Sequence, residues 1–358
     1  MDRLNVAVVG LGIGLAHIEE GYVTNADRFR LAALCSLDAA QVAAVADRFD
    51  VPGRTTDFEA LLADPGIDVI DICTPPALHL PQALAALAAG KHVILEKPVC
   101  ASLSEADRLA EAAAAARGAL MPVFQYRFGD GIEQALAIVE AGLAGAPYVA
   151  TAETLWRRTP DYYAVPWRGR RETELGGVLL SQAIHIHDLA TLVMGPVDRV
   201  FGRVATRVNP VEVEDCVSAA CLLRSGALLS LTATLGAPPE EISRLRFVFE
   251  HVTFESDHDP YNPGAKPWRI LPASPEVAAR IEGLLAGWTP RPSRFEAQMR
   301  LFHDAVTQGS PLPVTLADAR AALELAAAIH RSSSTGAEVA LPIPPENPVY
   351  AARRMGAA

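Results

Sequence analysis

Short apolar runs alternate with amphipathic stretches from Leu4 to Phe124. The runs Leu4 to Val9, Arg30 to Cys35, Val69 to Cys73, His92 to Leu95 and Leu120 to Phe124 are rich in β-branched residues, like strands buried on both faces. Between them, Ala39 to Phe49, Phe58 to Ala63, His79 to Ala89 and Ser104 to Arg117 read as helices. This alternation predicts an α/β domain built on a doubly wound parallel sheet.

After Phe124 the pattern changes. A helix over Gly131 to Ala141 is followed by strand-like alternation at Tyr148 to Leu155, Val197 to Val208, Cys216 to Leu222, Ala227 to Ala233 and Leu245 to Phe254. Helices are expected at Leu180 to Val193, Arg294 to Thr307 and Ala317 to His330. Strands in a run predict a C-terminal α+β domain with a mostly antiparallel open sheet, one face of which needs covering by another subunit. The expected division is 1–123 for the first domain, 124–345 for the second and 346–358 for a tail, with the proline-rich end from Pro342 loosely held.

Length and composition fit two cores: 358 residues, 50% hydrophobic and 20% charged. A net charge of −11 and a pI near 5.3 argue against a nucleic-acid partner, which needs basic surface. No apolar run reaches the roughly 18 to 20 residues of a membrane span, and Met1 to Val9 lack the shape of a signal peptide, so a cytoplasmic protein is expected. Cys35, Cys73, Cys100, Cys216 and Cys221 include no Cys-x-x-Cys pair and read as buried free thiols, with no metal site expected.

The first strand runs into Gly10-Leu11-Gly12-Ile13-Gly14, and a helix follows. A dinucleotide pyrophosphate needs this arrangement: Gly10 for a tight turn, Gly12 for close backbone approach and a helix N-terminus for the negative charge. The third glycine falls one position early, at Gly14. The second strand ends at Ser36-Leu37-Asp38, where a carboxylate could grip the adenosine ribose; Asp38 could equally cap the helix that follows. With no arginine at Leu37 to meet a 2′-phosphate, NAD is favoured over NADP. Two more corners close strands, Thr74-Pro75-Pro76 and Glu96-Lys97-Pro98. The carboxyl ends of parallel strands are where ligands bind, so the Lys97 amine is either offered to a ligand or held in a surface ion pair.

A second informative stretch runs from Trp156 to Asp188. On one continuous helix Ser181, His185 and Asp188 would share a face. His185 could serve a ligand there or be a satisfied core histidine; with His187 it makes a poor metal pair. Arg157, Arg158, Arg168, Arg170 and Arg171 could bind a substrate carboxylate or phosphate, or be tied to Glu172, Glu174 and neighbouring acids. Trp156, Tyr162, Tyr163 and Trp167 could stack on a sugar ring or belong to the core.

Taken together, the glycine turn, Thr74-Pro75 with His79, Ala89-Gly90-Lys91-His92-Val93 into Glu96-Lys97-Pro98, and Gly176-Gly177 ahead of His185 and Asp188 resemble the glucose-fructose oxidoreductase and inositol dehydrogenase family, Gfo/Idh/MocA. The likeness continues through Val213-Glu214-Asp215 and Ser334-Thr335-Gly336 to Pro342. It implies an N-terminal Rossmann domain for NAD or NADP and a homodimer or homotetramer. It also implies hydride transfer at a secondary hydroxyl or ketone of a sugar, sugar acid or cyclitol.

The resemblance makes Lys97 the active-site lysine and His185 the histidine of the second catalytic motif; either could be the base. The expected cofactor contacts are Gly10, Gly12, Ile13, Gly14, Ser36, Asp38, Thr74, Pro75, His79, Glu96 and Lys97. The expected substrate contacts are Lys97, Tyr163, Trp167, Arg168, Ser181, His185 and Asp188. Ser181 departs from the family, which carries aspartate there in its inositol-dehydrogenase-like members, and Pro76 replaces a frequent asparagine. Two rival functions remain: NAD-dependent cleavage of glycosidic bonds by redox-assisted elimination, and a non-catalytic cofactor-binding sensor.

Overall fold

In the computed structural model, which describes residues 3–237 and 240–352, the first set of apolar runs forms one parallel sheet. Its strands are β1 (Leu4–Val9), β2 (Phe29–Cys35), β3 (Gly53–Thr55), β4 (Val69–Ile72), β5 (His92–Leu95) and β6 (Leu120–Pro122). They lie in the order β3-β2-β1-β4-β5-β6. β4 is buried throughout and β5 everywhere but His92, which explains their uninterrupted apolar character. The order reverses between β1 and β4, the crevice where doubly wound sheets hold ligands. Val9 lies opposite Ile72 and Ile72 opposite Leu95, so Gly10, Cys73 and Glu96 leave the sheet at one level.

The compact unit containing this sheet consists of the chain up to Phe124 together with Phe295–Arg320. The second domain expected over 124–345 includes the helix expected at Arg294 to Thr307; this helix, Arg294–Gln308, belongs from Phe295 on to the first compact unit. Its Phe295 ring packs 4.4 Å from His17, Asn25 Nδ2 donates to the Glu296 carbonyl at 3.0 Å, and Gln298 Nε2 donates to the Pro122 carbonyl at 2.8 Å. These long-range contacts decide its place.

The second unit comprises Gln125–Arg294 and the chain from Ala321 on. Its strands are β7 (Pro147–Leu155), β8 (Val197–Ala205), β9 (Cys216–Leu223), β10 (Leu228–Thr234), β11 (Ile242–Phe249), β12 (Val252–Glu255), β13 (Arg269–Pro272) and β14 (Val339–Ala340). The order is β13-β12-β11-β7-β10-β9-β8-β14, antiparallel at every pairing except β7 with β10. The expected single strand Leu245 to Phe254 is a hairpin, β11 turning into β12 at Glu250-His251. Burial alternates along β9, β10 and β11, so one face carries the core while Val149, Phe201 and Leu228 stand exposed on strands of the same sheet. In the proline-rich end from Pro342, expected to be loosely held, Ile343 is buried and its N–H donates to Glu324 at 2.8 Å. Residues 353–358 of the expected tail lie outside the described residues.

Candidate active site

The glycine turn is shaped by its neighbours. Gly10 has φ +92°, and a Cβ there would stand 2.6 Å from the Cys73 carbonyl oxygen, so only glycine fits. Gly14 serves packing: its Cβ would meet Val8 Cγ1 at 2.9 Å, which is the helix-on-strand role of a third glycine despite the shifted spacing. Gly12 has no atom within 4 Å of its Cβ position, and Ile13 is 45% exposed. A backbone held close below and open above, at the start of a helix, fits a dinucleotide pyrophosphate.

Asp38 adopts the capping alternative. Its Oδ1 accepts from Ala40 N at 2.9 Å and Gln41 N at 3.0 Å, the N-cap of helix Ala39–Phe49. Asp38→Ala is therefore expected to cost about 1 kcal/mol of stability from the lost cap. Thermal unfolding alongside NAD and NADP titrations separates the roles, because a ribose contact adds a selective loss of NAD affinity. Nearby, Ser36 Oγ donates to Gln41 Oε1 at 3.2 Å.

Thr74 and Glu96-Lys97 extend from β4 and β5, and Thr74 Oγ1 donates to Gln82 at 2.6 Å. Expected as a cofactor contact, His79 instead lies between these corners: Nδ1 is 2.7 Å from the Pro98 carbonyl and Nε2 is 2.7 Å from the Thr74 carbonyl. The ring is buried and both nitrogens face backbone carbonyls, so His79 ties the two corners together. Burial lowers its pKa, an effect the two carbonyls oppose. Lys97 is half-buried, and its N–H donates to its neighbour's carboxylate, Glu96 Oε2, at 3.0 Å.

The corners rest on a buried network the sequence did not single out. His17 Nδ1 lies 2.8 Å from Asp71 Oδ2 and Nε2 lies 3.0 Å from Glu96 Oε1; Tyr22 OH donates to Asp71 Oδ2 at 2.8 Å. Cys73 Sγ donates to Asp71 Oδ1 at 3.4 Å. His17, Asp71 and Cys73 offer ligand-type atoms within 4.8 Å of one another, but hydrogen bonds among themselves and to Tyr22 and Glu96 engage these atoms. The readable signal was Asp71, an acid inside the otherwise apolar Val-Ile-Asp-Ile strand.

In the second unit the expected helix Leu180 to Val193 is two helices, Val178–Ser181 and Ile184–Met194, broken at Gln182. Ser181 therefore does not share a helix face with His185 and Asp188. Its Oγ donates to Glu174 Oε1 at 2.9 Å. Glu174 is buried, accepts from Gly169 N and lies 3.9 Å from Arg168, so a carboxylate stands beside the serine that replaces the family's aspartate. Burial raises the Glu174 pKa against these donors.

Gly177 allows the short helix to start: its N–H donates to both Glu214 oxygens at 3.0 Å, and a Cβ would collide with the Glu214 carbonyl. Although burial alone would raise the Glu214 pKa, His330 and these donors hold it below the usual range.

His185 is buried and stacks on Tyr126, with centroids 4.5 Å apart and planes at 28°. Asp188, expected at the substrate, is bound to Arg127 by two bonds: Nε to Oδ2 at 2.7 Å and Nη2 to Oδ1 at 2.6 Å. That pairing engages both carboxylate oxygens. His187 faces the Leu179 carbonyl at 3.2 Å, and burial lowers its pKa to about 4, so it is neutral. Arg168 stacks over Tyr162 at 4.0 Å and Trp167 at 4.3 Å; Gln182 Nε2 donates to Tyr162 OH at 3.0 Å, and Tyr163 meets Tyr162 edge-on. Arg158 is tied to Glu241 at 2.8 Å, and Trp156 belongs to the core.

Comparison with known proteins places this architecture. Residues 4–124 match the oxidoreductase family with an NAD-binding Rossmann fold, and residues 132–255 match the GFO/IDH/MocA C-terminal domain. An uncharacterized oxidoreductase, YrbE of Bacillus subtilis, is 32% identical over 58% of this chain and 59% of its own length. The D-xylose 1-dehydrogenase (NADP(+)) 2 of Haloferax volcanii is 26% identical over 92% of this chain and 97% of its own. Among solved structures, the WlbA dehydrogenase from Chromobactrium violaceum, in complex with NADH and UDP-GlcNAcA, superposes with a TM-score of 0.84 at 25% identity. That match covers 96% of this chain and 97% of the other. Two family domains matched in order, on a sheet whose strand-end corners fit a dinucleotide, establish that the chain belongs to the GFO/IDH/MocA oxidoreductases and binds a nicotinamide cofactor on its Rossmann unit.

Proposed function

We propose that the chain is a dehydrogenase that transfers a hydride between a secondary hydroxyl of a sugar, sugar acid or cyclitol and the nicotinamide, with Lys97 and His185 as its acid-base groups. The observation that carries this reading is the half-buried Lys97 at the carboxyl end of β5, level with the glycine turn and the Thr74 corner. The nicotinamide supplies the hydride acceptor. Oxidation also needs a group to take the hydroxyl proton, and lysine and histidine are both suited to that.

Gly10 and Gly12 shape the pyrophosphate turn, Glu96 positions Lys97, and the stacked Arg168, with Tyr163 and Trp167 beside it, faces the substrate. Ser181, tied to Glu174, adds a hydroxyl to these substrate contacts. Exposed Val149, Phe201 and Leu228 on the open sheet support a homo-oligomer.

Mixing the protein with NAD or NADP and a panel of sugars, sugar acids and cyclitols tests the reading. Net growth of reduced-nicotinamide absorbance with a simple polyol or sugar is expected, larger with NAD. Cleavage of a glycoside with no net change in absorbance would instead identify the elimination chemistry.

A further inference from the structure

We propose that His17, held as an imidazolium between Asp71 and Glu96, is a positioning residue that ties the Glu96-Lys97 corner to the helix following the glycine turn. The inference rests on the dehydrogenase reading and deepens it.

Both ring nitrogens of His17 face carboxylate oxygens, at 2.8 and 3.0 Å, and a carboxylate only accepts; the ring must donate twice. All three side chains are essentially buried, so an uncharged ring would leave two carboxylates unbalanced where water cannot help. The backbone is wound to suit. His17–Tyr22 is a π-helical segment. Residues five apart lie on different sides of an α-helix at about 100° per residue, whereas i→i+5 bonding brings them round together. Thus His17 and Tyr22 both reach Asp71 Oδ2 at 2.8 Å.

Glu96 uses its other oxygen on Lys97 N, so the chain of contacts runs from the glycine-turn helix through His17 and Glu96 to the lysine's own backbone.

The titratable groups around the ring are Asp71 and Cys73 from β4 and its end, Glu96 and Lys97 from the end of β5, Tyr22 from the same helix, and His79 beyond Glu96. Phe295 covers the ring. Burial, the largest single influence, would lower the His17 pKa, but Asp71 and Cys73 together raise it well above 6.5; burial would likewise raise the Glu96 pKa, and His17 together with Lys97 and His79 lowers it below the usual carboxyl range. The signs follow. The His17 contribution to stability is full below the ordinary histidine pKa and fades as pH rises through the raised one. The Glu96 contribution is full above the ordinary carboxyl pKa and fades as pH falls through the lowered one.

The test is His17→Gln in the full chain, which keeps a hydrogen-bonding side chain without the charge. Expected are an NAD Kd within about threefold of wild type and a kcat about 10- to 100-fold lower, the size of effect that small misplacements produce. The acid limb of the kcat/KM profile should move to higher pH as Glu96 loses its cation. A lower melting temperature with wild-type kcat and pH profile would reduce His17 to a structural residue and overturn the proposal. Nitrogen-15 NMR of the His17 ring gives a reading independent of turnover: both nitrogens should be protonated at pH 8, and a neutral tautomer there overturns the clamp. Should wild type turn over no substrate, the dehydrogenase reading fails while the NMR result still decides the clamp.

Discussion

Replacing Lys97 with alanine is expected to lower kcat about a thousandfold while leaving NAD affinity within about tenfold, the range that loss of a positioned acid-base group produces. The geometry makes the two effects separable. The glycine turn is built from Gly10 against the Cys73 carbonyl and Gly14 against Val8, contacts that Lys97 does not share. The corner itself is fixed from both sides, by Glu96 on the lysine N–H and by His79 on the Pro98 carbonyl, so truncating the side chain removes the amine without releasing the backbone. Steady-state rates of nicotinamide reduction, with a separate cofactor titration, check this; wild-type turnover would remove Lys97 from the chemistry. His185→Ala, assayed across pH in the same way, indicates which group is the base, because the variant lacking the base loses the corresponding limb of the profile.

The second large effect concerns stability. Asp188→Ala removes the bidentate partner of Arg127, whose side chain is 9% exposed against 3% for the aspartate. Breaking a buried pair from one side costs about 3 to 5 kcal/mol, because the remaining charge keeps its desolvation penalty. A drop of roughly 10 °C in melting temperature is expected at about 2 to 4 °C per kcal/mol. The double variant Arg127→Met with Asp188→Leu should recover most of that loss, since apolar side chains of similar volume can replace a buried pair. An unchanged melting temperature with a raised KM would return Asp188 to the substrate contacts.

Several elements were readable because their local signals agreed with their tertiary surroundings. His92–Leu95, Phe58–Ala63 and Ala39–Phe49 have the predicted bounds: an apolar run for the buried strand, Asp57 and Asp38 as caps for the helices. Gly53–Thr55 and Val339–Ala340 are too short to show any period. The break at Gln182 and the turn at Glu250-His251 contain neither glycine nor proline, so nothing in the sequence interrupted the pattern.

The candidate site divides along the same line. Lys97 and the glycines sit where strand ends and turn chemistry place them, and these were legible. The partners of Asp188, His79 and Ser181 are Arg127, two backbone carbonyls and Glu174. Only folding brings those groups together. The three expected contacts consequently have partners that the sequence did not assign, a carboxylate in the case of Ser181. His17, Asp71 and Glu96 come from three separate segments; Glu96 was legible as a strand-end acid and Asp71 as an acid in an apolar strand, but only folding shows that His17 joins them.

Hydride transfer from a carbinol carbon to the nicotinamide can be followed with an isotope label. A sugar or cyclitol that the protein oxidises is prepared with deuterium on the reacting carbon and incubated with NAD, and the nicotinamide product is examined by mass and NMR. Hydride transfer places one deuterium at C4 of each reduced nicotinamide formed and yields an equal amount of ketone. Deuterium lost to solvent, or retained in a cleaved product with no net reduced nicotinamide, would contradict it.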